Sequence, residues 1–371
     1  MKKGLSMLRV VICAMAAFGA FAVQADILQT RDGDVRVDAM ITGLDTPWAV
    51  DFLPGGGFLV TEREGALLHV RDGRATRVDG VPRVHASGQG GLLDVTVPRD
   101  FATSREILLT FAKPQGGGAG TALASARLTG DGTALSDLRV LFEAADGGST
   151  GRHFGSRVVE GRDGRLFVTI GDRGNDDLVQ NLGTYNGKIV RINRDGSVPP
   201  DNPFVGVANA RPEIWSLGHR NPQGAGLDAQ GRLWISEHGA RGGDEINLVD
   251  GGRNYGWPVI SYGRHYSGGK IGEGTAKPGL EQPEHYWDPS IAPSGLMVYS
   301  GRLWPDWRGD IFVGSLKFDH ISRLEGAPLR EAEQISGPET ERVRDIVEAP
   351  DGTIWFISVG QGTVYRISPA S

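Results

Sequence analysis

One short pattern recurs six times along this 371-residue chain and limits the possible folds more than any other feature. Each copy has a turn with glycine and then a run of alternating apolar residues. Asp-Gly or Gly-Gly turns followed by β-branched and aromatic residues are typical of β-hairpins, so each copy predicts strand structure. The copies are 54–65, 104–113, 162–174, 229–239, 308–317 and 350–362.

The spacing of the copies, about 40 to 80 residues, predicts an all-β fold: a six-bladed β-propeller of four-stranded antiparallel blades. A barrel or a sandwich would contain strands, but not copies set so far apart. Residues 34–44 read as a strand that completes the last blade and closes the ring. Glycine, at 56 residues, fits many tight turns. No linker is visible, so residues 26–371 are predicted to form a single domain.

The first residues predict a targeting segment. Lys2, Lys3 and Arg9 precede or flank a short apolar run, and small residues end at Ala25. This pattern is typical of a secretory signal peptide over residues 1–25, and the alternative is an N-terminal membrane anchor. No later stretch is apolar for the length that a membrane span needs. We therefore expect a periplasmic or secreted protein, cleaved near Ala25, with no stable membrane insertion.

Charge and cysteine content exclude some classes of partner. Removal of residues 1–25 takes away three positive charges and no acidic ones, so the formal charge changes from −6 to −9. An acidic protein is a poor candidate for binding nucleic acid, which favours a basic surface. The only cysteine, Cys13, lies in the predicted signal peptide. The mature chain is therefore expected to fold without disulfide bonds.

Functional residues of a propeller usually lie on loops at the mouth of the central channel. The loop 83–95, "RVHASGQGGLLDV", places polar groups among glycines and reads either as a ligand loop or as an ordinary connection. His153 is a candidate general base, or a histidine bonded within its loop. Arg220 offers a planar fork of donors for a carboxylate or carbonyl, or binds backbone carbonyls structurally. Asn221 adds an amide beside it.

Two further segments carry charge. Residues 237–258 combine glycines with Asp244, Glu245 and Asp250, which are oxygen ligands that Ca²⁺ accepts, although no EF-hand spacing is present. Arg342 and Arg344 lie two residues apart and would face one side of a strand. They belong to a solvated face, or they hold an anion. If these arginines converge with Lys317 and Arg220 at one mouth, the ligand carries carboxylates.

Seven motifs in order resemble a known family: "HASGQGGLLDV", "GRHFGSR", "EIWSLGHRNPQG", "EHGARGGDEIN", "NYGWP", "GSLK" and "RVRD". They are similar to those of the soluble aldose sugar dehydrogenases that depend on pyrroloquinoline quinone (PQQ). These enzymes are exported relatives of the soluble quinoprotein glucose dehydrogenase, in the glucose/sorbosone dehydrogenase group. The resemblance extends from about residue 35 to the C-terminus and implies a six-bladed propeller.

The resemblance also implies roles for individual residues. His153 matches the general base that takes the proton of the anomeric hydroxyl, while Ca²⁺ and Arg220 polarise the quinone. A lactone is the expected product. Gly239 and Ala240 match carbonyl ligands of this Ca²⁺, and Glu245 and Tyr255 match a second calcium site. The positions that match quinone contacts are Gln89, Arg220, Asn221, Tyr266, Lys317, Arg342 and Arg344.

The chain departs from the family pattern at two positions. Ala240 stands where a proline is usual, and Arg152 stands where glucose-specific relatives carry an aspartate. The sugar preference is therefore not carried over, and the electron acceptor is not identified. A monomer or a homodimer is expected. Two alternatives stay open: a calcium-dependent sugar lactonase, and a propeller that binds a protein or glycan without any cofactor.

Overall fold

The computed structural model describes residues 26–145 and 147–370. The predicted signal peptide, residues 1–25, lies outside the described residues. Within them, 25 strands pair antiparallel in six separate sheets. The sheets follow one another along the chain, and the innermost strand of each contacts the innermost strand of the next. The arrangement is a closed ring, which confirms the predicted six-bladed β-propeller.

The first two strands, β1 (Asp26–Thr30) and β2 (Gly33–Ile41), belong to the last blade. The blades that follow are each numbered from the innermost strand outward. Blade 1 consists of β3 (Pro47–Phe52), β4 (Phe58–Glu62), β5 (Ala66–Arg71) and β6 (Arg74–Arg77). Blade 2 consists of β7 (Leu92–Thr96), β8 (Glu106–Gln115), β9 (Gly118–Leu128) and β10 (Leu135–Glu143). Blade 3 consists of β11 (Val158–Glu160), β12 (Leu166–Ile170), β13 (Lys188–Ile192) and β14 (Ile214–Leu217).

Blades 4 and 5 repeat this order, and blade 6 combines both ends of the chain. Blade 4 consists of β15 (Pro222–Leu227), β16 (Leu233–Glu237), β17 (Asp244–Val249) and β18 (His285–Trp287). Blade 5 consists of β19 (Pro293–Val298), β20 (Ile311–Ser315), β21 (Ile321–Glu325) and β22 (Arg330–Ile335). Blade 6 consists of β23 (Val343–Glu348), β24 (Ile354–Ser358) and β25 (Thr363–Pro369), followed by β2 and β1.

Helical structure is minor in the described residues. It consists of one α-helical turn, α1 (Phe101–Ser104), and three 3₁₀ turns at Asp176–Leu178, Pro305–Trp307 and Pro338–Thr340. Between residues 26 and 370, no described helix has the length and apolar character needed to cross a membrane.

Each of the six sequence copies overlaps the second strand of a blade. These strands are β4, β8, β12, β16, β20 and β24. A second strand is buried on both faces between neighbouring blades, as the fully buried residues of β24 illustrate. The turn before it and the apolar run within it are therefore under the same constraint in every blade, which explains why this strand carries the visible repeat.

The ring is closed by pairing the beginning of the chain with its end. Strand β2 pairs antiparallel with β25, with Val37 opposite Ile367 and Ala39 opposite Tyr365. The segment 34–44 thus supplies the outer part of blade 6, as predicted. Because β2 covers the outer edge of β25, the last three strands of the chain do not end in an open edge there.

The apolar core is divided into clusters between neighbouring blades. Each of the six blade-to-blade contacts has its own cluster of buried side chains. At the closure, Val60 of blade 1 packs in one cluster with Ile357 and Val364 of blade 6. Burial of apolar surface at all six contacts holds the ring together and fixes the loops at the channel mouth.

The contact between blades 6 and 1 provides a test of this closure. Ile357 is fully buried there, so Ile357→Ala should lower the free energy of unfolding by about 2–5 kcal/mol. Ile27, in the same blade, is 52% exposed, and Ile27→Ala should change the free energy of unfolding by less than about 0.5 kcal/mol. Urea denaturation of both variants measures the difference. Equal effects would contradict the proposed importance of this contact.

Candidate active site

A cavity of about 580 Å³ lies at one end of the central channel. In each blade the start of the first strand and the end of the second lie at the same end, because the two strands are antiparallel. Loops at these positions supply the lining. It includes Trp48 at the start of β3, Gln89 before β7, Gln223 in β15, Ala240 after β16 and Lys317 after β20.

The charge of the cavity is opposite to that of the whole protein. Its cationic lining residues are Arg63, Arg241, Lys317, Arg342 and Arg344, and no Asp or Glu lines it among the described residues. The structure therefore brings together three of the four cations that the sequence singled out. The fourth, Arg220, lies in a smaller adjoining recess.

Arg344 forms part of the cavity floor. Its Nη1 donates a 2.6 Å hydrogen bond to Oε1 of Gln223. Burial, together with the nearby charges of Arg157 and Arg342, lowers the pKa of Arg344 to about 9. The guanidinium is surrounded by protein atoms, although part of its surface still faces the cavity. An anionic group in the cavity would relieve this unfavourable environment.

Beneath Arg344 lies a buried ion-pair group that sequence reasoning did not identify. The Arg157 guanidinium contacts Asp94 at 3.0 Å and Asp345 at 2.7 Å, and its Nε donates to the carbonyl of Gln223 at 2.8 Å. Trp48 packs against the same guanidinium, whose central carbon lies 4.3 Å from the centroid of the indole ring. These partners belong to the innermost strands of blades 2, 6, 4 and 1. Arg157 therefore connects five blades at the channel axis.

His153 and Asp172 form a hydrogen-bonded pair. Nδ1 of His153 lies 2.6 Å from Oδ1 of Asp172, and Oδ2 of Asp172 accepts a 3.0 Å bond from the indole of Trp257. Burial lowers the pKa of His153 below its ordinary value of 6.5, although Asp172 acts in the opposite direction. Burial would raise the pKa of Asp172, but its bond with His153 keeps it low. At neutral pH the lowered pKa favours a neutral imidazole, which the carboxylate orients.

The sequence carries a weak signal for Asp172. This residue lies two positions after the end of β12, within the repeat copy 162–174. Two other copies carry an acidic residue near the cavity end of the second strand: Glu62 ends β4 and Glu237 ends β16. Because this end of the strand lies at the channel mouth, an acidic residue there is a better indication of a functional carboxylate than the turn that begins the copy.

Gln89 connects the cavity with His153. Its side-chain Oε1 accepts a 2.6 Å hydrogen bond from the backbone N–H of His153. The backbone N–H of Gln89 donates to the carbonyl of Gly151 at 2.6 Å. The backbones approach closely here, because a Cβ on Gly88 would lie 2.2 Å from the carbonyl oxygen of Gly151. Gly88 also has φ +62°, so glycine is required on both grounds.

Arg220, Asn221 and Tyr266 occupy different depths. Nη1 of Arg220 donates to the carbonyl oxygens of His238 and Gly239. Oδ1 of Asn221 accepts a 3.1 Å bond from the N–H of Gly155, whereas its buried Nδ2 has no partner among the described residues. Tyr266 is 75% exposed at the cavity rim. The unpartnered amide of Asn221 indicates a place for a ligand acceptor.

The predicted calcium residues form two groups. Gly239 and Ala240 line the main cavity, while Glu245 and Tyr255 line the small recess beside it, together with Glu237. Asn247 donates to both Glu237 and Glu245 at 3.1 Å. Burial and the charge of Glu237 raise the pKa of Glu245 to about 8.

Other groups in this region are already satisfied. The hydroxyl of Tyr255 donates to the carbonyl of Leu248 at 2.7 Å and accepts from the N–H of Asp250 at 2.9 Å. The main-chain carbonyl of Tyr255 accepts no hydrogen bond from the described residues, so it is open to another partner. Asp244 accepts bonds from Ser290 and from the N–H of Gly239. In the described part of the chain, no three His, Cys, Asp or Glu side chains converge as a metal cluster. A cation here would need main-chain carbonyls.

Comparisons with known proteins match both the sequence and the fold. The family model described as Glucose / Sorbosone dehydrogenase matches residues 44–366. The chain is 41% identical over 345 residues to the aldose sugar dehydrogenase YliI of Escherichia coli, covering 90% of this chain and 93% of that protein.

Solved structures agree. The apo-form of the soluble aldose sugar dehydrogenase of Escherichia coli is 40% identical, with a TM-score of 0.86, and the match covers 91% of this chain and 100% of that one. The PQQ-bound aldose sugar dehydrogenase of Streptomyces coelicolor is 25% identical, with a TM-score of 0.74 and coverage of 93% and 99%. The resemblance inferred from the seven ordered motifs is confirmed: this chain belongs to the glucose/sorbosone dehydrogenase family of oxidoreductases.

Proposed function

We propose that this protein oxidises aldose sugars at the anomeric carbon to lactones, with PQQ as the oxidant and Ca²⁺ as an auxiliary ion. The observation that carries the proposal is the cationic cavity of an acidic protein, beside a buried His153–Asp172 pair. The compartment proposed is the periplasm or the exterior of the cell, as the leader-like residues 1–25 predict. The electron acceptor that reoxidises the cofactor is left unassigned.

The cavity residues fit a cofactor that carries several carboxylates. Lys317, Arg342 and Arg344 face one space from blades 5 and 6, and Arg344 lacks a carboxylate partner among the described residues. Arginine binds carboxylates in a planar, bidentate geometry, so the pair at 342 and 344 would hold the cofactor from one side. On the other side, Gln89 lines the cavity and would hydrogen-bond its polar edge. The buried, unpartnered amide of Asn221, which does not itself line the cavity, would be a second donor.

The proton-transfer role falls to His153. Asp172 accepts the Nδ1 proton, so the lone pair of Nε2 points away from the pair, and Nε2 makes no hydrogen bond among the described residues. This nitrogen would take the proton of the anomeric hydroxyl while the C1–H bond breaks and a C1–O double bond forms. Bound PQQ supplies the acceptor for the hydride, that is, for two electrons and one proton. Arg220 would stabilise the negative charge that develops on the cofactor.

Calcium would be held mainly by oxygen atoms of the backbone. Glu245, with the carbonyl of Tyr255, fits one ion, because its buried carboxylate has Asn247 as a donor but no cationic side chain beside it among the described residues, whereas Glu237 is already paired with His219. The carbonyls of Gly239 and Ala240 would hold the other. The Gly239 carbonyl also accepts a bond from Arg220, and a carbonyl has lone pairs for both. Calcium near the cofactor would act as a Lewis acid.

One experiment separates this proposal from the alternatives. The purified mature protein is mixed with PQQ and Ca²⁺, and reduction of an electron-accepting dye is followed with a panel of aldoses. We expect sugar-dependent reduction that needs PQQ and is lost when a chelator removes the calcium. Hydrolysis of sugar lactones without PQQ would instead indicate a lactonase. No reduction and no PQQ binding would indicate a propeller that only binds a partner.

The base must be neutral to accept a proton, and burial lowers the pKa of His153 below 6.5. Activity should therefore persist below pH 6.5 and be lost as the pH falls through that lowered value. Asp172→Asn removes the group that raises this pKa, so the acid limb of kcat/KM should move to lower pH. The rate should fall about 10²- to 10⁴-fold, because the imidazole loses its orientation. His153→Ala should lose turnover while it retains PQQ binding.

A matched control is Asp163→Asn, in the exposed turn between β11 and β12. It removes one carboxylate from the same blade and should leave the rate and its pH profile unchanged. A normal rate or an unshifted acid limb in Asp172→Asn would contradict the orienting role of Asp172. Normal turnover in His153→Ala would remove His153 from its role as base.

The anion-binding role of the arginines has a separate test. Arg344→Gln should weaken PQQ binding by about 10- to 100-fold, because a charge-assisted hydrogen bond contributes about 1.5–3 kcal/mol. Isothermal titration of the cofactor-free protein with PQQ measures this. Arg74→Ala, on the exposed outer strand β6, removes one positive charge elsewhere and should have no effect. Unaltered affinity in Arg344→Gln would contradict the carboxylate-binding role.

A further inference from the structure

Lys188, at the start of β13, is a buried lysine with an unusual set of partners. Its side chain has no exposed surface. Its Nζ donates 2.7 Å hydrogen bonds to the carbonyl oxygens of Val179 and Asn186. No carboxylate of the described residues lies near enough to shift its titration. A lysine is almost never fully buried without a partner of opposite charge, so these two carbonyl contacts call for an explanation.

We propose that Lys188 is a positioning residue for the His153–Asp172 pair. By binding two carbonyls of the loop 171–187, it would hold that loop in the shape that places the Asp172 carboxylate against the imidazole. This inference rests on the proposed function, because it assigns Lys188 a role in that reaction. Lys188 contacts neither the pair nor the cavity, so it would act only through the loop.

The first connection runs through Asn186. Lys188 donates to the main-chain carbonyl of Asn186, and the Asn186 side-chain amide donates a 2.9 Å bond to the carbonyl of Asp172. The N–H of Asp172 in turn donates to the carbonyl of Arg220 at 2.8 Å. The backbone of Asp172 is thus held on both sides, and its carbonyl accepts a second bond, at 3.0 Å, from the N–H of Asn175. A shift of Asn186 would remove one of the two donors to the carbonyl of Asp172.

The second connection runs through Val179. Lys188 binds the carbonyl of Val179, and the side chain of Val179 packs in a small buried cluster with Trp257, Ala240 and Ile271. The indole of Trp257 donates to Oδ2 of Asp172 at 3.0 Å, opposite the oxygen that binds His153. The Lys188 amine therefore holds two residues. One is Asn186, which binds the Asp172 backbone, and the other is Val179, which packs against Trp257, the donor to the Asp172 side chain.

The environment suits this purely geometric role. Burial lowers the pKa of Lys188 to about 7. An amine that donates two hydrogen bonds does not need a charge for them, so the bonds persist when the group is neutral. A long, unbranched side chain can reach two carbonyls that lie on different parts of one loop.

Another anchor of the loop acts on a different neighbour. The Arg173 guanidinium donates to the carbonyls of Gly147, Thr150 and Ala119 and stacks on Phe154. These contacts join the start of the loop to blade 2, but none of them reaches the part between Val179 and Asn186. Loss of Lys188 should therefore loosen Asp172 without unfolding the whole loop.

The test replaces the amine by an apolar chain of similar length, in Lys188→Met. We expect kcat to fall about 10- to 100-fold, the range typical of residues that orient a functional side chain. KM and the affinity for PQQ should stay within about twofold. The matched control is Arg191→Met, on the same strand, where the buried guanidinium binds Asn202 at 2.7 Å, away from the site.

A second readout needs no cofactor. In the cofactor-free protein, ¹⁵N NMR of His153 should show the tautomer protonated at Nδ1, because Asp172 accepts that proton. In Lys188→Met this tautomer should lose population in favour of the one protonated at Nε2, whereas in Arg191→Met it should be unchanged. If Lys188→Met does not fold, Asn186→Ala breaks the same connection at Asp172 and should give the same two changes.

The outcomes are distinguishable. A loss of stability in Lys188→Met with an unchanged tautomer and normal kcat would overturn the positioning role and leave only a structural one. If the wild-type protein oxidises no sugar, the proposed function fails, but a tautomer change confined to Lys188→Met and Asn186→Ala would still support the link to Asp172. If the wild type is active and neither variant changes kcat or the tautomer, only the positioning role fails.

Discussion

The ion-pair group around Arg157 is the interaction on which the site depends. Its guanidinium binds Asp94 and Asp345 at the channel axis and also contacts Gln223 and Trp48. Removal of one partner of a buried ion pair typically costs about 3–5 kcal/mol, since a charge is left uncompensated. Here such a loss would affect several blades at once, because each partner belongs to a different innermost strand.

The same group supports the cavity floor from beneath. Gln223, whose carbonyl binds Arg157, holds the Arg344 guanidinium with its side chain. Two guanidinium groups are thereby linked through Gln223: that of Arg157 is neutralised by carboxylates, whereas the upper one, that of Arg344 in the cavity lining, is not. The upper positive charge faces the cavity, and this asymmetry makes an acidic protein attractive to an anionic ligand at one end of its channel.

Much of the fold and part of the site could be predicted from sequence. The second strand of each blade has the same environment, so its turn and apolar alternation repeat and reveal six blades. Lys317, Arg342 and Arg344 were grouped correctly in one cavity because blade ends meet at the channel mouth. Lys188 was missed, because a single lysine at the start of a strand has no distinctive pattern before its partners are known. Asp172 was missed too, although its place near the end of a repeat copy was a weak signal.

The sequence by itself determined the period of the ring, its all-β character, the cationic residues near the channel and the family. Each of these depends on local pattern or on ordered motifs. Only the tertiary structure decided that His153 has Asp172 as its carboxylate partner, that Arg157 is neutralised and that Lys188 is buried. Those properties depend on burial and on distances of a few ångströms between residues that lie far apart in the sequence. Asp172 and His153, 19 residues apart, meet when β11 and β12 pair within blade 3. Arg157 and Asp345, 188 residues apart, become neighbours only when the ring closes.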